Sequence, residues 1–229
     1  MADGNLVRLG SVFGLLAVVA MIPAYLVGHP DAPASSAEAG TYFGAGIGTF
    51  VFSNGVLPLL HVFFFLLFLG VLYGVLRSAA DDTREGGGVV GVGLPAAALA
   101  GGIVFAALTA AGFAAEILYP ATVLRFGVLE PNEQFVLVSL TLSSWLYHYC
   151  QVGTSVLVLA TSLSALGTGV LPRWLALAGF VAALLTLLHF LVPLLAALVG
   201  LLWIAVVSVL MLTGSVGSTD GTRRSPVHR

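Results

Sequence analysis

The sequence carries very little charge. Asp, Glu, Lys and Arg together make up 8% of its 229 residues, and every basic side chain is an arginine, because lysine does not occur. About a quarter of a typical soluble domain is charged, whereas here runs of about twenty residues pass without a charge, the length that a helix needs to cross a bilayer. With 59% hydrophobic residues, this composition excludes a soluble fold and predicts an all-α, polytopic transmembrane bundle whose first partner is the lipid bilayer.

Several further absences exclude classes of function. The single cysteine, Cys150, cannot form an intrachain disulfide. The formal net charge is -2, and no basic stripe is present that could neutralise phosphates, so we expect no nucleic-acid partner. No aspartate lies within a predicted span, so a Ser-His-Asp triad lacks its acid. The glycines over 40–48 lack the Lys-Ser/Thr ending of a phosphate-binding loop.

The apolar runs predict one transmembrane bundle over residues 1–213, followed by a disordered cytoplasmic tail over 214–229. Six spans are predicted, at about 6–27, 55–76, 91–117, 138–163, 173–192 and 194–213. The first run is longer than the core of a cleaved signal peptide, so it is expected to remain as a span. The last apolar stretch is about forty residues long, twice the bilayer core, and is therefore divided by a turn near Pro193.

The arginines predict the orientation. With the N-terminus inside, seven of the eight lie at cytoplasmic ends and Arg125 alone lies outside. Loops rich in Lys or Arg stay on the cytoplasmic side. We therefore predict a multi-pass protein of the plasma membrane with both termini in the cytoplasm.

Apart from arginines near the span ends, three histidines and one glutamate fall within the predicted spans, where a charge is expensive and is a default sign of function. They are His61, Glu116, His148 and His189, all on the outer half of the predicted bundle. Three imidazoles and a carboxylate suit zinc or another divalent metal. No metal motif with local spacing supports that site, and the alternative is that each histidine is neutral and hydrogen-bonded. A haem between two histidines, near the aromatic side chains Trp145, Tyr147 and Tyr149, is a further alternative.

Helical spacing predicts a polar stripe on span four, because Ser144, His148, Gln151 and Ser155 recur at i, i+4, i+7 and i+11. Span three carries small residues and Thr109 along the face that ends at Glu116. Small residues let helices approach closely, so spans three and four are expected to pack together. The predicted polar cavity comprises Ser144, His148, Gln151, Ser155 and Thr109.

The segment Leu171-Pro172-Arg173-Trp174-Leu175, with Trp203 in the last span, resembles uncharacterised six-helix bacterial integral membrane proteins that are classed as a domain of unknown function. The resemblance implies the layout of the fold and no activity, cofactor or catalytic residue.

Three functional hypotheses remain open from the sequence. The leading one is a non-enzymatic bundle that serves as an accessory subunit or binds a small molecule. The first alternative is a metal-binding protein that uses the His/Glu set, and the second is a small transporter lined by the polar stripe. The patterns Gly10-x-x-x-Gly14 and Gly70-x-x-x-Gly74 suit helix contact within the bundle, in a homo-oligomer or with other membrane subunits.

Overall fold

The computed structural model describes residues 4–27, 46–82, 89–127, 133–191 and 193–214, and this part of the chain is helical with no strand. Its α-helices are α1 (Gly4–Val27), α2 (Ile47–Val51), α3 (Leu57–Asp82), α4 (Leu94–Glu116), α5 (Leu118–Phe126), α6 (Glu133–Thr168), α7 (Arg173–Leu187) and α8 (Pro193–Leu212). The π-helical turns Phe52–Val56 and Val89–Gly93 lead into α3 and α4, and the 3-10 turn His189–Leu191 joins α7 to α8. The predicted all-α fold is confirmed.

Five helical stretches of the described residues are long and apolar enough to cross a membrane. They contain α1, α2 with α3, α4, α6 and α8, while α7, with 15 residues, falls short of that length. The chain is therefore a multi-pass helical membrane protein. The predicted tail lies outside the described residues except for Gly214, as does the polar loop over 83–88.

The six longer helices form a closed ring. Each packs against the next in the order α1, α3, α4, α6, α7 and α8, and α8 returns to α1. Neighbours that follow one another in the chain run antiparallel, since Gly10 of α1 meets Val71 of α3 while Ala17 meets His61. The middle of the ring is filled by Phe65, Phe68, Leu69, Leu72 and Leu157, none of which is more than 2% exposed.

Helices α4 and α6 approach each other backbone to backbone. A Cβ placed on Gly153 would lie 2.6 Å from the backbone nitrogen of Phe105 and 2.8 Å from the carbonyl oxygen of Gly101. Only glycine lets two backbones approach so closely. The expected packing of spans three and four is thus confirmed. The neighbouring Gly102 turns toward Leu69 of α3 instead.

The two small-residue patterns lie in different surroundings. Gly10 is packed against Val71 and Gly14 against Phe68, so the first pattern serves contact within the bundle. Gly70 and Gly74 have nothing within 4 Å of an added Cβ. They line an apolar groove of about 490 Å³ between α1 and α3.

Candidate functional site

Most polar contacts between different helices lie at one end of the ring, where α1, α4 and α7 end and α3, α6 and α8 begin. We call this region the polar end and define it by Asn54, Glu116, Ser139, Tyr147, His148 and His189. In the predicted orientation it is the outer end. The opposite end holds the surface ion pair between Arg77 and Asp81, with 3.3 Å between Nε and Oδ2.

Glu116 is held by an amide from the π-helical turn before α3. The side-chain Nδ2 of Asn54 donates to Oε2 of Glu116 at 3.3 Å, and the Ser53 hydroxyl donates to Oδ1 of Asn54 at 2.7 Å. Asn54 is fully buried and Glu116 is 6% exposed. The turn adds one residue to the helical repeat, and it places this amide against the end of α4.

His148 and His189 are in direct contact. Nε2 of His189 lies 2.8 Å from Nδ1 of His148, and Nδ1 of His189 lies 2.9 Å from the carbonyl oxygen of Thr186. A carbonyl only accepts, so Nδ1 of His189 carries a hydrogen. When His189 is neutral, its Nε2 accepts a hydrogen from His148, and when His189 is protonated the direction reverses. When the pair carries one extra proton, that proton can therefore pass between His148 on α6 and His189 in the 3-10 turn.

Two further bonds fix α6 within the polar end. The Tyr147 hydroxyl donates to the carbonyl oxygen of Pro193 at 2.6 Å, which ties α6 to the first residue of α8. The Ser139 hydroxyl donates to the carbonyl of Ala115, which ties α6 to the last turn of α4. The Ala115 carbonyl lies in the last turn of α4, where backbone oxygens lack a partner within the helix.

The fourth predicted ligand, His61, lies deeper. Its Nδ1 is 2.9 Å from the carbonyl oxygen of Ala17, and its ring stacks on Phe65 and meets Phe105 edge-on at centroid distances of 5.9 and 5.7 Å. It follows Asn54 by seven residues, which places it about 10 Å below the polar end. The structure thus brings together His148 and His189, whereas Glu116 has Asn54 as its partner.

The four-residue metal set stays a prediction. Among the described residues, no group of three or more His, Cys, Asp or Glu side chains is close enough to hold a metal ion. The paired imidazoles supply two nitrogen donors, and a structural zinc site uses four ligands. A metal at the polar end would therefore need further ligands from backbone carbonyls, from other side chains or from the solvent.

The predicted polar stripe on α6 faces protein. The Ser155 hydroxyl donates to the carbonyl oxygen of Ala183 on α7 at 2.9 Å, and His148 contacts His189 beyond the end of α7. Gln151 is 2% exposed, while Ser144 is only partly buried. On α4, Thr109 is 5% exposed and lies beside the Cys150 thiol. These contacts keep the stripe out of lipid, and the polar cavity itself stays a prediction.

Two residues of this region were not predicted from the sequence. Asn54 falls just before the predicted span over 55–76, yet α2 and the π-helical turn continue the helical structure through it. Tyr25, in the last turns of α1, lies within electrostatic range of Tyr147, Cys150 and Glu116. The available signal for Asn54 in the sequence was the position of a polar side chain directly before an apolar run. Tyr25 gave none, since aromatic residues are common at membrane boundaries.

No protein-family model, curated protein or solved structure matches this chain. The resemblance carried by residues 171–175 and Trp203 therefore stays an expectation.

Proposed function

We propose that this chain is a six-span protein of the plasma membrane with both termini in the cytoplasm. Helix α7 is about 22 Å long, and the 3-10 turn that follows adds about 6 Å. Together they approach the roughly 30 Å of a hydrocarbon core, which supports a sixth span. The predominance of arginine at the ends opposite the polar end supports the orientation.

We further propose that the bundle is non-enzymatic and binds a small polar molecule at the polar end. The observation that carries this proposal is the meeting of His148 and His189 at 2.8 Å, on the same end as the buried Glu116. Polar groups are costly within a membrane. Helix packing alone does not require a carboxylate, an amide and two imidazoles at one end of the bundle. Their presence there therefore favours a bound ligand.

The chemistry of the polar end suits a ligand that both donates and accepts hydrogen bonds. The histidine pair can present an acceptor or a donor, depending on where its shared proton lies. The carboxylate of Glu116 favours a donor or a positive charge. Tyr147 and Trp145 lie beside the imidazoles, with ring centroids 6.1 Å from His189 and 5.6 Å from His148 respectively, and add apolar walls.

Native mass spectrometry of the full-length protein, extracted from membranes into lipid nanodiscs, tests this proposal. We expect the wild type to carry a stoichiometric adduct smaller than a phospholipid. His148→Ala should lose the adduct, and the matched variant Ser144→Ala, one turn away on the same helix, should retain it. Identical adduct patterns in wild type and His148→Ala would overturn the proposal.

A divalent metal is a second candidate ligand, and it is favoured by the same pair of imidazoles. Two nitrogens bound to one tetrahedral zinc lie about 3.3 Å apart, given Zn–N bonds near 2.0 Å. The pair at 2.8 Å would need to open by about half an ångström, and both rings would need to turn so that each lone pair points at the metal. Metal analysis of protein purified without chelator should then find stoichiometric metal in the wild type and none in the double variant His148→Ala, Glu116→Ala.

A further inference from the structure

A second polar region lies inside the ring, one layer below the polar end. Three buried side-chain atoms there have no partner at ordinary hydrogen-bond distance: Nε2 of His61, Oγ1 of Thr109 and Oε1 of Gln151. The Thr109 hydroxyl does lie near the Cys150 thiol, which is only a weak hydrogen-bonding group. Their side chains are 0%, 5% and 2% exposed. We call these three residues the inner layer.

The three residues of the inner layer come from three helices at one depth. On α3, His61 lies seven residues below Asn54, and on the antiparallel α4, Thr109 lies seven residues below Glu116, the partner of Asn54. The register between these helices continues farther down, where Gly102 meets Leu69. On α6, Cys150 lies beside Thr109 and is adjacent to Gln151. The three unpartnered atoms therefore share one level of the bundle.

The orientation of the His61 ring makes Nε2 a hydrogen-bond acceptor. Nδ1 faces the carbonyl oxygen of Ala17 at 2.9 Å and must donate to it. In the neutral imidazole, Nε2 then keeps its lone pair. The contacts with Phe65 and Phe105 hold the ring in this position.

Gln151 presents an acceptor in the same way. Its Nε2 points toward the Cys150 sulfur at 3.9 Å, which leaves Oε1 to face the interior. Thr109 has a single hydroxyl hydrogen, so it can satisfy at most one of the two acceptors. The inner layer therefore has an excess of acceptors over donors.

Two other hydroxyls without a partner, those of Thr161 and Ser164, lie farther along α6. A Ser or Thr side chain in a helix can change its rotamer so that its hydroxyl donates to a carbonyl of the preceding turn. His61 Nε2 and Gln151 Oε1 have no hydrogen to donate, so no backbone carbonyl can satisfy them. Unlike the hydroxyls of Thr161 and Ser164, these two acceptors of the inner layer therefore need a separate hydrogen-bond donor.

We propose that the inner layer binds a small hydrogen-bond donor, either water or an ammonium ion, between His61, Thr109 and Gln151. A buried polar atom without a partner is costly, and an internal water or ion with two to four polar partners removes that cost. The ammonium ion, with four N–H donors, matches the excess of acceptors, and the carboxylate of Glu116 lies one layer above. This site is independent of the ligand proposed for the polar end.

The test compares the unfolding of variants in lipid nanodiscs. Thr109→Val keeps the shape of the side chain and removes one partner of the bound donor, so we expect a folded-to-unfolded ratio lowered about tenfold. The control is Thr161→Val, which has the same substitution and burial outside the layer and should be neutral or stabilising. Gln151→Met provides a second variant and should follow Thr109→Val.

Replacement of sodium chloride by ammonium chloride at constant concentration distinguishes the two donors. An upward shift of the wild-type midpoint that is lost in Thr109→Val identifies ammonium. Destabilisation by both Thr109→Val and Gln151→Met without that shift identifies water, whereas destabilisation by Thr109→Val alone reflects its contact with the Cys150 thiol and overturns the proposal. If Thr109→Val and Gln151→Met are both as stable as the wild type, or more stable, the layer is dry and the proposal is overturned. The adduct experiment on His148 is unaffected by that result.

Discussion

Replacement of Gly153 by alanine tests the account of the α4–α6 crossing most directly. The added Cβ would lie 2.6 Å from the nitrogen and 3.1 Å from the Cα of Phe105, and 2.8 Å from the carbonyl oxygen of Gly101. All three are backbone atoms, which cannot rotate away as the end of a side chain can. Because carbon atoms prefer separations of about 3.5 to 4.0 Å, the two helices would have to move apart by about 1 Å.

The expected magnitude is the difference between two effects. Overpacking of this kind costs about 1 to 3 kcal/mol, and the higher helix propensity of alanine returns up to about 1 kcal/mol. We therefore expect Gly153→Ala to lower the free energy of unfolding by about 1 to 2 kcal/mol. Gly101→Ala should behave in the same way, since its Cβ would lie 2.7 Å from the nitrogen of Leu157.

The assay is reversible unfolding in mixed micelles, with helicity measured as sodium dodecyl sulfate is added. Gly112→Ala is the matched control, because it lies on the same face of α4 and its Cβ would meet nothing closer than Leu146 Cβ at 3.5 Å. That variant should be as stable as the wild type, or up to about 1 kcal/mol more stable. If Gly153→Ala unfolds like Gly112→Ala, the backbones do not approach as described.

Two further predictions concern the stripe and the topology. Ser155→Ala removes the hydrogen bond to the Ala183 carbonyl and should lower the free energy of unfolding by about 1 kcal/mol in the same assay. Ser144→Ala, the control, should change it little. Equal effects of the two substitutions would mean that α7 is not held through Ser155. In a Cys150→Ser background, Arg125→Cys should react with an impermeant maleimide on intact cells, and Arg77→Cys should react only after permeabilisation. The reverse pattern would invert the proposed orientation.

The long, unbroken apolar runs made the helices predictable from sequence. Residues near Pro193 illustrate this, since the expected turn lies at the 3-10 segment and α8 begins at the proline. The contact between spans three and four was also predictable, because small residues on one face indicate close approach. Which glycine makes the contact was not predictable. Gly101 and Gly102 are adjacent, and the rotation of α4 about its axis decides which of them faces α6.

The depth of the site residues in the bundle was predictable from the sequence, but which of their side chains contact each other was not. Span positions place Glu116, His148 and His189 near one end of the bundle, but a sequence without an alignment does not indicate which side chains turn toward each other. His61 shows the reason, since two aromatic rings and the carbonyl of Ala17 hold it inside the ring. Asn54 escaped prediction because a π-helical turn adds a residue that the 3.6-residue repeat does not anticipate.

The crossing at Gly101 and Gly153 also bears on how the bundle can move. Because the backbones of α4 and α6 are in contact, rotation or sliding of one helix against the other would bring a peptide group too close to a Cα. We therefore expect α4 and α6 to move as one rigid body. Helix α7 is bound to α6 by side-chain hydrogen bonds at Ser155 and at the imidazole pair, and such bonds can exchange partners. These contacts favour movement of α7 relative to α6 over movement between α4 and α6.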